Sequence, residues 1–103
     1  MHDRTWVEIS KEALKHNIDV VRGLLNQKTK IMAVVKANAY GHGLVETGRI
    51  LAHSSDWLAV FTFEDALVLR KAKIKTPILV LGITTPDHFK DSLAKHISLT
   101  ICN

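Results

Sequence analysis

Four apolar runs rich in β-branched residues divide the chain at regular intervals, and they constrain its fold more than any other feature. The runs are Ile31–Val35, Trp57–Phe61, Pro77–Leu81 and Ile97–Ile101. Their near-continuous hydrophobicity is typical of parallel strands covered on both faces, whereas a strand with one solvated face alternates apolar and polar residues. The pattern therefore predicts four buried parallel strands.

The stretches between these runs are long enough for crossover helices. The residues expected on the inner faces of the first two helices are Leu44, Gly48, Leu51 and Ala52, and then Ala66, Leu67 and Arg70. Thr62 is the expected N-cap of the second helix, because a threonine hydroxyl can accept from a free N–H of the first turn. The third helix is expected to open at Thr85 as the cap, with Pro86 at its first position. Its expected buried face contains Phe89 and Leu93.

Two further elements are predicted before the first apolar run. Leu14, Ile18, Val21 and Leu25 recur at helical spacing behind Ser10, which indicates an amphipathic leading helix. Ahead of that helix, Trp6–Ile9 alternates apolar and polar residues and suggests a short extra strand outside the main sheet.

The alternation of strands and helices predicts an α/β fold with right-handed βαβ units in one parallel sheet. An open flavodoxin-like sheet and a TIM barrel share this pattern, but the first typically has about five strands and the second has eight. Four strands complete neither, and they would leave two sheet edges open to pairing. We therefore expect part of a larger fold, or a chain that completes itself by association.

Composition argues against nucleic-acid and membrane roles. The net charge is +4, but the one basic cluster, residues 70–75, falls at the predicted end of a helix and has no interleaved aromatic residues. No run of about 18 apolar residues is present, as a spanning helix would need. Met1–Thr5 lacks the basic and then apolar pattern of a secretory signal, so a cytoplasmic location is expected. Cys102 is the only cysteine, which excludes an internal disulfide and gives no metal site by itself.

The residue with the clearest chemical potential is Lys36, which directly follows the first apolar run. Carboxyl ends of parallel strands form the active-site rim of α/β folds, so a lysine there is a candidate reactive amine. An apolar wall of Val34 and Leu81 would favour the neutral amine, which is the form that attacks an aldehyde. The alternative is an ordinary lysine whose ammonium group extends into water.

The residues around Lys36 leave several roles open. By strand parity, Met32 and Val34 share a face with Lys36 and would line the floor beneath it. Tyr40 could donate a hydrogen bond to a phosphate oxygen, or it could pack as an aromatic residue on the loop. His42 lies between two glycines, and we interpret it as a loop residue rather than as a general base.

The ten residues Val34–Gly43 read Val-Val-Lys-Ala-Asn-Ala-Tyr-Gly-His-Gly and resemble the signature to which pyridoxal 5'-phosphate (PLP) is attached in alanine racemases. Further similarity to this family is found in Trp6–Ile9, in His16–Ile18, in Trp57–Val60 and in Pro77–Gly82. The resemblance extends over all 103 residues. It implies that residues 1–103 are the N-terminal part of a PLP-binding (β/α)8 TIM-type barrel, without the remaining barrel and the C-terminal β domain.

The same resemblance implies a function and roles for individual residues. The reaction would be the PLP-dependent interconversion of L-alanine and D-alanine, with Lys36 as the Schiff-base lysine and as one of two bases. Tyr40 would contact the cofactor phosphate, and Val34 and Leu81 would line the pocket. The second base would be a tyrosine from the partner subunit of a homodimer, so we expect the isolated chain to have little or no activity.

Three alternatives remain open from the sequence. The first is a racemase for another small amino acid such as serine, because few residues that select the side chain lie in this segment. The second is a non-catalytic PLP-binding protein of barrel type, which would also use a lysine at a strand end. The third is a purely structural fragment that associates through its open sheet edges.

Overall fold

A computed structural model describes residues 11–36 and 40–101. Its helices are α1 (Lys11–Leu24), α2 (Tyr40–Ser54), α3 (Phe63–Lys71) and α4 (Phe89–Ala94), and a 3-10 turn at Pro86–His88 precedes α4. Its strands are β1 (Met32–Val34), β2 (Trp57–Val60), β3 (Ile78–Ile83) and β4 (Ile97–Thr100). Within these ranges, no helix combines the length and the apolar character that crossing a bilayer requires.

The strands form one parallel sheet in the order β1-β2-β3-β4, which confirms the predicted α/β fold. Each strand lies within two residues of its predicted ends. The extra strand predicted at Trp6–Ile9 and the cap predicted at Ser10 fall outside the described residues. Residues paired across the sheet point to the same face, and one such row contains Val34, Ala59, Leu79 and Ser98.

One face of the sheet carries the hydrophobic core. The buried sheet residues that form it are Val35, Leu58, Val60, Ile78, Val80 and Ile97, and the helices and loops add Leu44, Leu51, Phe63, Ala66, Leu69 and Ile74. The expected inner face of α2 is confirmed, since Ala52 also packs against this core. A Cβ at Gly48 would lie 2.8 Å from a methyl carbon of Leu69, so the glycine lets α2 and α3 approach closely.

The other face of the sheet is open, and here the expectation of strands covered on both faces is wrong for the described chain. Val34 is 53% exposed, Phe61 70% and Ile83 81%. These side chains alternate with buried ones along the same strands, because α1, α2 and α3 contribute their apolar residues to the core on the opposite face.

The N-terminus of α3 is capped as predicted. The hydroxyl of Thr62 accepts from the backbone N–H of Asp65 at 3.1 Å, and the acidic side chains of Glu64 and Asp65 lie in the first turn. Ala66 is buried and Leu67 packs against the core, which confirms the expected inner face. This cap fixes where the chain turns from β2 into α3.

Arg70, in the last turn of α3, does more than complement the helix dipole. Its guanidinium donates to the carbonyl oxygens of Ile74 at 2.7 Å and Thr76 at 2.9 Å, in the loop before β3. It also donates to the carbonyl oxygens of Lys95 at 2.8 Å and His96 at 2.9 Å, in the loop before β4. One side chain therefore joins two consecutive loops at the amino edge of the sheet.

The buried face predicted for the last helix is wrong. Phe89 is 43% exposed and Leu93 is 78% exposed, whereas Ser92 is buried and its hydroxyl donates to the carbonyl of Phe89 at 2.7 Å. The reason is the 3-10 turn, which has three residues per turn and so rotates the following helix relative to a continuous α-helix. Thr85 lies at the predicted cap position, but its hydroxyl makes no cap hydrogen bond.

Helix α1 attaches to the rest of the fold through a few contacts near its C-terminus. Of its expected apolar residues, Ile18 packs against the core, whereas Val21 is 47% exposed. Arg22 donates to the carbonyl of Ser54 at 2.8 Å and lies 3.3 Å from the carboxylate of Asp56. Asp56 also accepts from the backbone N–H of Ile31 at 2.8 Å. This backbone hydrogen bond, aided by Arg22, lowers the pKa of Asp56 below its ordinary value.

Candidate active site

Lys36 lies at the carboxyl edge of the sheet, two residues beyond the end of β1. The preceding residue, Val35, is 2% exposed and faces the core, and its N–H donates to the carbonyl of Ala59 at 2.8 Å. Met32 and Val34 are exposed on the opposite face. Alternation continued past the end of β1 would give Lys36 the same side as Met32 and Val34. Its side chain is exposed, so the apolar wall expected from the sequence does not enclose it here.

The register of the sheet brings a further residue beside the predicted site. Val34 pairs with Ala59, and Val60 pairs with Val80. Lys36, Phe61 and Leu81 follow these pairs at the carboxyl edge of β1, β2 and β3. Strand β2 therefore separates Lys36 from Leu81, and Phe61 occupies the position between them.

Gly82 brings β3 very close to the backbone of Phe61. The N–H of Gly82 donates to the carbonyl oxygen of Phe61 at 2.9 Å, and a Cβ on Gly82 would lie only 2.5 Å from that oxygen. Only glycine fits this approach, because the obstructing atom is backbone and cannot rotate away. The pairing of β3 with β4 is also irregular between Val80 and Ile83. The backbone of Phe61 is thus held close to β3.

The signature continues into helix α2, whose first residue is Tyr40. His42 therefore lies in the first turn of α2, and the interpretation of it as a loop residue is wrong. Residues 37–39 and the side chains of Tyr40 and His42 are outside the described part. No acidic residue occurs in the first turn of α2, so no carboxylate of that turn offsets the positive end of the helix dipole.

A cavity of about 240 Å³ lies beyond the carboxyl ends of β2 and β3. Its lining residues are Phe61, Thr62, Phe63, Glu64, Gly82, Ile83, Thr84, Thr85 and His88. The rings of Phe63 and His88 stack at its side with centroids 4.5 Å apart. The buried hydroxyl of Thr84 has no hydrogen-bond partner among residues 11–36 and 40–101. The sequence analysis did not identify this cavity, whose only signal is that two loops follow neighbouring strands.

The residues at this edge fit the requirements of PLP. A primary amine can react with the cofactor aldehyde, the exposed apolar side chains beside it can pack against the planar ring, and the start of α2 suits a phosphate. Val34 and Leu81, the two apolar residues named from the sequence, are both exposed at the carboxyl edge of the sheet, where Lys36 also lies.

Comparison with known proteins agrees with the sequence resemblance. Residues 9–103 match the family described as alanine racemase, N-terminal domain. Alanine racemase 2 from Bacillus subtilis is 48% identical over 96 residues, which are 92% of this chain and 24% of that protein. A serine/alanine racemase from Enterococcus gallinarum is 46% identical over 89 residues, which are 85% of this chain and 13% of that protein.

A solved structure agrees in fold as well as in sequence. The crystal structure of alanine racemase from Bacillus anthracis with bound L-Ala-P matches with a TM-score of 0.79 and 37% identity, over 88% of this chain and 24% of that one. The chain thus spans about a quarter of the length of the alanine racemases that it matches. Its four parallel strands and their helices correspond to part of the TIM barrel of these enzymes. The chain belongs to the alanine racemase N-terminal domain family.

Proposed function

We propose that this chain supplies the cofactor lysine of a PLP-dependent alanine racemase, which interconverts L-alanine and D-alanine. The observation that carries the proposal is the position of Lys36. It follows β1 at the carboxyl edge of a parallel sheet, is exposed, and stands within the signature Val34–Gly43. Catalytic residues of TIM-barrel enzymes lie at this edge.

Each residue of the proposed site has a separate task. PLP, when bound, supplies an electron sink that stabilises negative charge at the α-carbon of an amino acid. Lys36 holds the cofactor through its amine and moves a proton on one face of the substrate. Val34 and Leu81 pack against the cofactor, and the hydroxyl of Tyr40 donates to its phosphate.

Inversion at the α-carbon also needs a base on the opposite face. Lys36 reaches only one face, and Tyr40, the sole tyrosine of the chain, is assigned to the phosphate. We therefore propose that the second base is a tyrosine of the partner subunit in a homodimer. The 103 residues alone would then have little or no turnover, because catalysis requires both groups in register. Robust turnover of L-alanine by the purified chain would contradict this.

The cofactor site can be tested on the chain itself. The purified chain is incubated with PLP and reduced with borohydride, and the pyridoxyl mass is located by peptide mapping. We expect one labelled position, Lys36, with the label lost in Lys36→Ala. Lys75→Ala, which removes an exposed lysine near the amino edge, is the matched control and should leave the label at Lys36 unchanged. A label spread over the exposed lysines, or none, would contradict the proposal.

A second candidate function is racemisation of serine as well as alanine. The observation that favours it is the similarity to the serine/alanine racemase of Enterococcus gallinarum. Incubating the complete enzyme that contains this chain with each L-amino acid in deuterated water and measuring deuterium at the α-carbon separates the two. Exchange into serine at a rate similar to that into alanine would favour the broader specificity.

A further inference from the structure

We infer that Phe61 is an additional wall of the PLP pocket, packing its ring against the cofactor beside Lys36. This rests on the proposed function, because it assumes that PLP is held at Lys36. Phe61 was not among the site residues identified from the sequence, and its assignment comes from the order and the register of the strands.

The first argument is position. Lys36 and Leu81 lie on β1 and β3, and β2 runs between these strands. Phe61 directly follows Val60, which pairs with Val80, so it lies at the carboxyl edge between the ends of β1 and β3. A cofactor that reaches from Lys36 to Leu81 would therefore pass the end of β2, where Phe61 lies.

The second argument is that the backbone of Phe61 is fixed while its ring is free. The carbonyl of Phe61 accepts from Gly82, and there is no room for a side chain at Gly82. Yet Phe61 is 70% exposed, and it is a large apolar residue next to the candidate amine. The position of its backbone is set before a ligand arrives, so only the ring has to be ordered on binding.

The third argument is chemical. The pyridine ring of PLP is planar and aromatic, and an aromatic side chain packs against such a ring in an offset or edge-to-face arrangement. The residues at the ends of the adjacent strands are a lysine and a leucine, so Phe61 is the only aromatic member of the three. Its ring would also displace water from the bond between Lys36 and the cofactor.

The test compares Phe61→Ala with Phe61→Tyr and with Phe89→Ala, which removes a half-exposed phenylalanine from α4. Each chain is titrated with PLP and reduced, and the pyridoxyl label at Lys36 is quantified by mass spectrometry. Loss of one aromatic contact and its buried area should raise the PLP concentration for half-labelling about 5- to 10-fold in Phe61→Ala. Phe61→Tyr and Phe89→Ala should stay close to the unchanged chain.

Thermal unfolding followed by circular dichroism serves as the folding control, and Phe61→Ala should unfold near the unchanged chain because its side chain is exposed. Equal half-labelling in Phe61→Ala and the unchanged chain would overturn the role of Phe61 while leaving the cofactor site intact. An absence of selective labelling at Lys36 in the unchanged chain would overturn the proposed function, and the role of Phe61 with it.

Discussion

The two faces of the sheet differ sharply although the same strands build both. On the helix-covered face, Leu58, Ile78 and Val80 are 0% exposed. On the open face, Phe61 and Ile83 are 70% and 81% exposed. The first face holds the described chain together, whereas the second contributes little to its stability and carries the candidate chemistry. Neighbouring residues of one strand therefore differ in role: one packs in the core, and the next lies on the face that carries the candidate site.

The largest difference between the two faces is expected for isoleucine at two positions of β3. Ile78→Ala should lower the free energy of unfolding by about 2–5 kcal/mol, because it leaves a cavity in the core. Ile83→Ala, a matched control on the open face, should change it by less than about 0.5 kcal/mol. Urea unfolding of both variants measures the difference. A similar loss for both would mean that the open face is covered in solution.

The next largest effect is expected at the amino edge, where Arg70 binds four carbonyl oxygens. Arg70→Met should cost about 1.5–3 kcal/mol, because charged hydrogen bonds to both loops are lost together. Lys71→Met, which removes the neighbouring exposed charge, is the control and should be nearly neutral. Denaturant unfolding gives both values, and a small effect of Arg70→Met would show that the loops hold without it.

A smaller effect on the free energy of unfolding is expected at Gly82, at the carboxyl edge of the sheet. Gly82→Ala should destabilise the chain by about 1–3 kcal/mol, because the new Cβ overlaps the carbonyl of Phe61. Gly23→Ala, in α1, has nothing within 4 Å of the added carbon and should stabilise the chain by about 0.5–1 kcal/mol. The two substitutions should therefore shift the unfolding temperature in opposite directions. A shift in the same direction for both would contradict the close approach at Gly82.

The smallest effect concerns acid stability through Asp56. Its pKa is lowered in the folded chain by the N–H of Ile31 and then by Arg22, so its contribution is complete above the ordinary pKa of 3.8. That contribution is lost as the pH falls through the folded pKa. Between pH 5 and about pH 3, the stability of Asp56→Asn should decline less than that of the unchanged chain. Parallel decline in urea unfolding would contradict the role of Asp56.

Much of the fold could be predicted because local chemistry determines it. The apolar runs locate all four strands, and the Thr62 cap follows from one hydroxyl and its spacing. The inner side of the last helix could not be predicted, because the 3-10 turn after Thr85 changes the rotation before Phe89 and Leu93. Nor does a continuous apolar pattern tell which face of a strand another element covers.

Part of the candidate site could likewise be predicted from the sequence, and part could not. Strand parity alone predicts a common side for Lys36 and Val34, and the resemblance to the family adds Leu81. Phe61 was not predicted as a site residue. Its place at the carboxyl edge depends on the pairing of β2 with β1 and β3, which the sequence does not give directly. Residues on adjacent strands become neighbours only through register.

The guanidinium of Arg70 limits how the chain can be divided into units that open separately. It binds the loop before β3, in its own repeat, and also the loop before β4, so the second loop depends on α3 for these hydrogen bonds. Local opening of α3 would therefore release the carbonyls of both loops at once. The unit from α3 to β4 is thus linked by one side chain, and recombination of related folds should keep that unit together.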